Sequence, residues 1–122
     1  CWQRWSHAMD IVEHIQTGRN FDELCQKIGR YVNEQRKAAS KFKIGITTDY
    51  NNRADGDDYL QNGYNLMIVL YRTQSKERVC SMEQYLINRF KKYEECENIR
   101  PGGEGKLKWG PPYYAYLAMK TK

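Results

Sequence analysis

Three short segments rich in β-branched and aromatic residues constrain the fold of this chain most. They span residues 42–47, 65–72 and 113–119, with an Asn62-Gly63 turn signal before the second and paired prolines before the third. Residues of these types favour strands, and a two-stranded sheet alone is only marginally stable in water. We therefore expect all three segments to be strands of one small sheet.

Amphipathic periodicity predicts helices around these strands. The clearest helix spans residues 75–93. Its apolar residues recur at helical spacing: Val79, Met82, Leu86, Ile87 and Phe90. A second helix is expected over residues 20–39, where Asn20 can cap the first turn and Glu23 occupies the third position of a capping box. Both helices have an apolar face that must pack against the sheet.

A shorter helix is predicted for residues 6–17, with Ser6 as its cap. Its apolar residues also fall at helical spacing: Met9, Val12 and Ile15. A chain of 122 residues fits a single domain with one modest core. We expect residues 1–40 to be an N-terminal helical addition and residues 41–122 to be the core of that domain.

The charge of the chain favours a polyanionic partner. Twenty Lys and Arg residues against fifteen Asp and Glu residues leave a net charge of +5, and such an excess strengthens contacts with phosphates. The same excess also serves solubility, so charge alone does not select a nucleic-acid partner. No apolar run approaches the roughly 20 residues that span a bilayer, so no membrane partner is expected.

The four cysteines lack the spacing of a metal site. Cys1, Cys25, Cys80 and Cys96 form no C-x-x-C pair, which argues against zinc. Two disulfides would be permitted, in any of three pairings. The residues contain no signal peptide and no N-x-S/T sequon, which favours an intracellular or nuclear location. A disulfide-stapled, secreted domain without a nucleic-acid role remains the alternative.

Two charged residues are candidates for phosphate chemistry. Arg53 follows a short strand and a polar turn, where a guanidinium can hold a phosphate through two hydrogen bonds. Glu83 lies at the edge of the apolar face of the helix predicted over residues 75–93. A carboxylate there needs a partner, which is either a Lys or Arg side chain or a divalent ion.

The segment from Phe42 to Arg53, which contains Lys43-Ile44-Gly45 and then a threonine, resembles the second motif of the GIY-YIG nuclease superfamily. The branch it resembles reads KIG, then Thr, then an arginine shortly afterwards. Glu83, within Ser81–Ile87, matches the metal-binding glutamate of the family, and Asn98 matches the late asparagine before paired glycines. The three matches follow one another in the family's order.

The resemblance implies a metal-dependent endonuclease that cleaves DNA, with RNA as an alternative substrate. Glu83 would bind Mg²⁺ or Mn²⁺, Asn98 would order the site, and Arg53 and Lys43 would offset the charge on the phosphate. Lys43 replaces the tyrosine of the second motif. Further nucleic-acid contacts would come from the glycine-rich loop over residues 98–110: Arg100, Lys106 and Lys108.

One departure from the family concerns the first motif. Its tyrosine normally ends a strand that leads directly into the KIG strand, whereas the residues before Phe42 are predicted to be helical. Tyr113–Met119 resembles that opening strand, with Tyr116 as the first-motif tyrosine and Tyr114 on the same face. We therefore expect a circular permutation in which residues 113–119 pair with residues 42–47.

The expected fold is thus α+β, with a GIY-YIG-like, three-stranded antiparallel sheet flanked by helices and two additional N-terminal helices. Tyr116 or Tyr114 would position or deprotonate the attacking water. The alternative function is a catalytically inactive nucleic-acid-binding module of the same fold, which the missing second-motif tyrosine favours.

Overall fold

The computed structural model describes residues 9–98 and 107–122. Its strands are β1 (Asp10–Gln16), β2 (Ala39–Thr47), β3 (Leu66–Thr73) and β4 (Tyr113–Thr121). Its helices are α1 (Phe21–Gln35), α2 (Tyr50–Ala54), α3 (Asp57–Gln61) and α4 (Lys76–Phe90), and a 3₁₀ turn covers Arg36–Ala38. In this described part of the chain, no helix combines the length and the apolar character needed to cross a bilayer.

The strands form one mixed sheet of four strands in the order β1-β3-β4-β2. β4 lies in the interior of the sheet and is antiparallel to both of its neighbours, β2 and β3. The predicted pairing of residues 113–119 with residues 42–47 is confirmed, with Phe42 opposite Met119 and Thr47 opposite Tyr114. The α+β class is confirmed as well. The predicted three-stranded antiparallel sheet is wrong in strand number and orientation, because β1 adds a fourth strand parallel to β3.

The helix predicted over residues 6–17 is wrong where the structure describes it. Residues 10–16 form β1, with Asp10 opposite Leu66 on β3. The spacing of Val12 and Ile15 fits a helix, but β-branched side chains lose rotamer freedom there and suit a strand. The backbone of β3 hydrogen-bonds to residues 10–16 and so stabilises their extended conformation. Ser6 lies outside the described residues. The N-terminal part therefore contributes one helix, α1, and one strand.

The two long helices begin as their caps predict. The Asn20 side chain accepts a hydrogen bond from the N–H of Glu23 at 3.0 Å, and Ser75 accepts one from the N–H of Arg78 at 3.2 Å. α1 ends at Gln35, earlier than predicted, because the chain turns through the 3₁₀ segment into β2. The predicted apolar face of α4 is buried throughout.

The sheet separates two hydrophobic clusters. The larger one lies between α1, α4 and the side of the sheet that carries Phe42, Ile44 and Leu117. The smaller one lies on the opposite side and is closed by α2 and α3. It contains seven buried residues: Met9, Ala54, Tyr59, Tyr64, Met67, Tyr116 and Ala118. Alternation along β4 therefore directs Tyr116 away from the α1 and α4 layer.

Two of the cysteines are thiols with sulfur or amide neighbours. Cys25 is buried, with its Sγ 4.0 Å from the Met82 sulfur. Cys96 Sγ lies 3.8 Å from Oδ1 of Asn98. Two disulfides would require all four cysteines of the chain. The structure does not adopt that arrangement, and Cys1 lies outside the described residues.

Candidate functional site

The candidate site is centred on the contact between Gly45 and Tyr116. The two residues lie opposite each other on β2 and β4. A Cβ atom at position 45 would overlap the ring and hydroxyl of Tyr116, so the ring occupies the space that the glycine leaves. Tyr116 is completely buried, and its hydroxyl is 2.7 Å from the hydroxyl of Tyr59 on α3. The predicted glycine motif thus serves to seat the tyrosine.

Arg53 reaches this centre from α2. Asp49 caps this helix, because its carboxylate accepts a hydrogen bond from the N–H of Asn52 at 3.1 Å. The Arg53 guanidinium donates to Asp58 through Nη1 at 2.9 Å and through Nη2 at 2.8 Å, and it lies over the Tyr59 ring at 4.1 Å. Its Nε is buried and has no hydrogen-bond partner among the described residues. Arg53 is therefore held by α3 and is only 17% exposed.

The pKa values of these groups follow from burial and from the ion pair. The bond from Arg53 lowers the pKa of Asp58 to about 2, and the same bond raises the pKa of Arg53. Burial raises the pKa of Tyr116, the charge of Arg53 opposes that rise, and the charge of Glu83 adds to it. Burial likewise raises the pKa of Tyr59. At neutral pH the site holds a charged ion pair beside neutral phenols.

Glu83 lies on the buried face of α4 and is 3% exposed. The sequence placed it at the edge of the apolar stripe, and the structure places it within the stripe. The charge of Glu83 adds a small increment to the rise in the pKa of Tyr116, which is due mainly to burial. Arg53 on α2 and Glu83 on α4 thus influence the pKa of Tyr116 on β4 in opposite directions.

A divalent ion would find one carboxylate here. Among residues 9–98 and 107–122, no group of three or more His, Cys, Asp or Glu side chains could hold a metal. Mg²⁺ is commonly bound by one or two carboxylates, with water and substrate phosphate completing its octahedron. An ion at Glu83 would therefore need water and substrate to complete its coordination, and Glu83 lines neither of the two cavities described below.

The side chain of Asn98 hydrogen-bonds to the backbone at the edge of β2, as a neighbouring strand would. Its Oδ1 accepts the N–H of Ile44 at 2.6 Å, and its Nδ2 donates to the carbonyl of Ile44 at 3.0 Å. Two residues before Ile44 on β2, the N–H of Phe42 donates to the carbonyl of Glu95, and the carbonyl of Phe42 accepts the N–H of Glu97. The amide thus acts as a peptide surrogate and fixes the backbone next to Gly45.

Lys43 lies on the same face of the sheet as Tyr116 but in a separate cavity of about 270 Å³. The cavity is lined by polar and aromatic residues: Lys43, Asp58, Tyr59, Asn62, Tyr64 and Glu97. Within it the Tyr64 hydroxyl donates a hydrogen bond to Glu97. Lys43 is therefore close to Asp58, the partner of Arg53, and two residues along β2 from Gly45.

Tyr114 points toward a different neighbour. It is half-buried, and its ring meets the Tyr50 ring edge-on with centroids 4.9 Å apart. The Tyr50 hydroxyl donates a hydrogen bond to Glu13, which raises the pKa of Tyr50 to about 12. Tyr114 thus connects β4 to the α2 and β1 side. Of the two predicted tyrosines, Tyr116 is the one whose hydroxyl bonds Tyr59, the ring over which Arg53 lies.

A second cavity, of about 220 Å³, has Arg53 in its lining. It is lined by residues of the β2–α2 connection, of α2 and of the segment before β4: Thr47, Thr48, Asp49, Asn52, Arg53, Lys108 and Trp109. The predicted contact residue Lys108 therefore lies near Arg53. The predicted residues Arg100 and Lys106 lie outside the described residues.

Comparisons with known proteins give no relative. The chain matches no protein-family model, and it matches neither a curated protein sequence nor a solved structure. Motif order and site geometry are therefore what a functional assignment rests on. Sequence reasoning missed three residues of this geometry, Asp58, Tyr59 and Trp109. Of these three, only Trp109 could have been selected from the sequence, because it lies within a glycine-rich, basic segment.

Proposed function

We propose that this chain is a circularly permuted, GIY-YIG-like endonuclease that depends on a divalent metal and cleaves phosphodiester bonds of DNA. The observation that carries the proposal is the placement of Tyr116, which lies opposite Gly45 and whose hydroxyl is 2.7 Å from that of Tyr59, the ring over which the Arg53 guanidinium lies. Gly45, Arg53 and Tyr116 are residues that the motif resemblance selects from distant segments of the chain.

The strand order adds support from the backbone. In the family that the motifs resemble, the opening strand leads into the KIG strand and pairs with it. Here β4 pairs with β2 in the antiparallel sense and puts Tyr116 opposite Gly45. The pairing is thus the one expected when the opening strand has moved to a later position in the chain.

The side chains suit distinct steps of phosphodiester hydrolysis. A bound divalent ion would polarise the phosphate and stabilise the leaving oxygen. Glu83 supplies the carboxylate for that ion. Arg53, and Lys43 on the same face of the sheet, offset negative charge on the phosphate. Tyr116 keeps its proton at neutral pH because burial raises its pKa, so it positions water as a hydrogen-bonding group.

A catalytically inactive nucleic-acid-binding module is the second candidate, and burial of the site favours it. Tyr116 is fully buried, Glu83 is 3% exposed, and both terminal nitrogens of Arg53 are bonded to Asp58. A phosphate can reach these groups only if the Arg53–Asp58 pair opens. Without that opening, binding would rest on surface cations such as Lys108.

The experiment that separates the candidates is a cleavage and binding assay on plasmid and labelled oligonucleotides with Mg²⁺, Mn²⁺ or EDTA. For the endonuclease we expect cleavage only with a divalent ion. Glu83→Gln should lower cleavage by more than about 100-fold, as expected for loss of a catalytic metal, and leave binding in EDTA nearly unchanged.

The matched control is Glu77→Gln, which makes the same change on an exposed position of α4. It should cleave like the unmodified protein. Binding without cleavage under every metal condition would support the binding module instead. A protein that neither binds nor cleaves DNA would overturn both candidates.

A further inference from the structure

The cavity beside Arg53 has an exposed indole at its rim. Trp109 is 72% exposed, the highest value among the large apolar side chains of the described residues. It lies in the connection before β4 and lines the cavity together with its neighbour Lys108. Covering the apolar ring of an exposed tryptophan is favourable because it removes apolar surface from water, so its position at a cavity mouth favours a partner.

Several other polar groups of this cavity already have partners. The Asp49 carboxylate caps α2 through the N–H of Asn52. The Thr47 hydroxyl accepts the N–H of Asp49 at 3.1 Å and bonds its carbonyl at 3.2 Å. Lys108 forms no salt bridge with any residue of the described ranges. A flat apolar ring and a cation next to it are thus what the cavity offers to a ligand.

The size of the cavity limits what it can hold. Its volume of about 220 Å³ is below the roughly 300–1,000 Å³ of pockets that enclose a whole small molecule. One planar group or one phosphate can enter, while the rest of the ligand stays outside. That geometry suits a polymer with a flat group and an anion in each repeat, which describes a nucleic-acid strand. A base can reach the indole only if it is unpaired.

We propose that this cavity binds one unpaired nucleotide of a DNA strand, with its base stacked on Trp109 and its phosphate contacted by Lys108. The inference rests on the proposed nucleic-acid function and adds a substrate class to it. DNA with a bulged or unpaired nucleotide next to the phosphate at Arg53 is bound in preference to continuous duplex.

The test uses two short labelled duplexes in EDTA, one with a single bulged thymidine and one with an abasic sugar at the same position. Fluorescence anisotropy gives the affinity for each. The unmodified protein should bind the thymidine duplex roughly 10-fold more tightly, since stacking of one base on an aromatic side chain has about this effect. Trp109→Ala should bind both duplexes equally, and Trp109→Phe should keep part of the preference.

Charge is tested separately. Lys108→Ala should weaken binding of both duplexes by the same factor, because it removes a phosphate contact and no base contact. Lys27→Ala, which removes the same charge from an exposed position on α1, should weaken binding less. Thermal melting would verify that Trp109→Ala remains folded, as its exposure predicts.

The outcomes distinguish this inference from the function on which it rests. If the unmodified protein binds both duplexes tightly but equally, the stacking site is refuted and the nucleic-acid function stands. The same holds if Trp109→Ala keeps the preference for the thymidine. If the protein binds neither duplex, both proposals fail.

Discussion

Asp58 occupies the part of Arg53 that a phosphate would use. A guanidinium presents parallel N–H donors that match a carboxylate and a phosphate equally well. Here both terminal nitrogens are taken by Asp58, at 2.9 and 2.8 Å, while Tyr59 lies against the guanidinium at 4.1 Å. A phosphate at Arg53 must therefore displace the carboxylate. Asp58 acts as an internal competitor of the substrate.

Asp58→Asn should increase the affinity for duplex DNA. The change keeps the shape of the side chain and removes the charge that competes with phosphate. Because Asp58 is 57% exposed, the expected gain is small, roughly 2- to 5-fold at low salt. A filter-binding titration measures it. Asp55→Asn is the matched control, since Asp55 is exposed and lies close by in sequence. Equal gains in the two variants would mean that net charge alone is responsible.

Asp58 also gives stability a defined pH dependence. Its pKa falls from 3.8 to about 2 on folding because Arg53 donates to the carboxylate. A lowered folded-state pKa contributes stability above the unfolded pKa, and this contribution is lost as the pH falls from about 4 to about 2. The loss should stay below about 1 kcal/mol because the pair is largely exposed on the Asp58 side. Urea unfolding of the protein and of Asp58→Asn should differ above this window and converge below it.

Motif order selected Arg53, Glu83 and Tyr116, and the structure links two of them, because Arg53 lies over the ring of Tyr59, whose hydroxyl is 2.7 Å from that of Tyr116. The partners of Arg53 were not predicted. Asp58 and Tyr59 become neighbours of the site only because α3 folds back beside α2, and no local pattern specifies that packing. The position of a motif residue could thus be read from the sequence, whereas its ionic environment could not.

At the scale of elements, the position of β4 determines how the sheet is built. β4 pairs along its length with β2 on one side and β3 on the other. Its alternating side chains enter both hydrophobic clusters, with Leu117 in one and Tyr116 in the other. A strand that supplies both layers cannot be removed without exposing both.

Truncation after Pro112 should unfold the domain. It deletes β4, so β2 and β3 lose their shared partner and the two clusters lose their central side chains. Far-ultraviolet circular dichroism and limited proteolysis measure the outcome. Removal of Lys122 alone, just beyond the strand, should leave both measurements unchanged. A truncated protein with a cooperative unfolding transition would contradict the role assigned to β4.

The amide of Asn98 should stabilise the edge of β2. Asn98→Ala removes the partners of the Ile44 N–H and carbonyl, and a buried polar group left unpaired costs about 1–3 kcal/mol. Chemical denaturation gives the free energy of unfolding. Asn88→Ala, on an exposed position of α4, is the comparison and should change that free energy by less than about 0.5 kcal/mol. Equal values for Asn98→Ala and the unmodified protein would refute this role.

Elements with one strong signal were predicted well from the sequence. α4 has both a cap and a regular apolar face, and β2 and β4 are short runs of β-branched and aromatic residues. Residues 10–16 had no such agreement, because Val12 and Ile15 fit helical spacing while their branched side chains favour a strand. Pairing with the edge of β3 favours the strand over the helix, and that edge forms only after β3 has paired with β4.

At the scale of the whole molecule, the positive charge bears on association more than on the fold. The net charge of +5 belongs to a small domain whose candidate site already contains a paired Arg and Asp. The attraction to DNA should therefore come mainly from surface cations, through release of counterions from phosphates.

Affinity for duplex DNA should accordingly fall steeply with salt. For about two or three phosphate contacts, a fourfold rise in salt should weaken binding roughly 10- to 50-fold. Titrations at several salt concentrations give the slope, and Lys108→Ala should reduce that slope by about one unit. An affinity independent of salt would count against both nucleic-acid functions.

The interior position of β4 also has a consequence for biosynthesis. A ribosome makes β1, β2 and β3 before β4, yet none of the antiparallel pairs of this sheet can form until residues 113–121 have left the exit tunnel. The nascent chain must therefore carry unpaired strands and uncovered apolar surface until β4 has been made. Such surfaces are the ones that chaperones bind and that aggregate when left exposed. Folding of this domain should thus be a late event that follows translation of β4, and it should be slow because its contacts are distant in sequence.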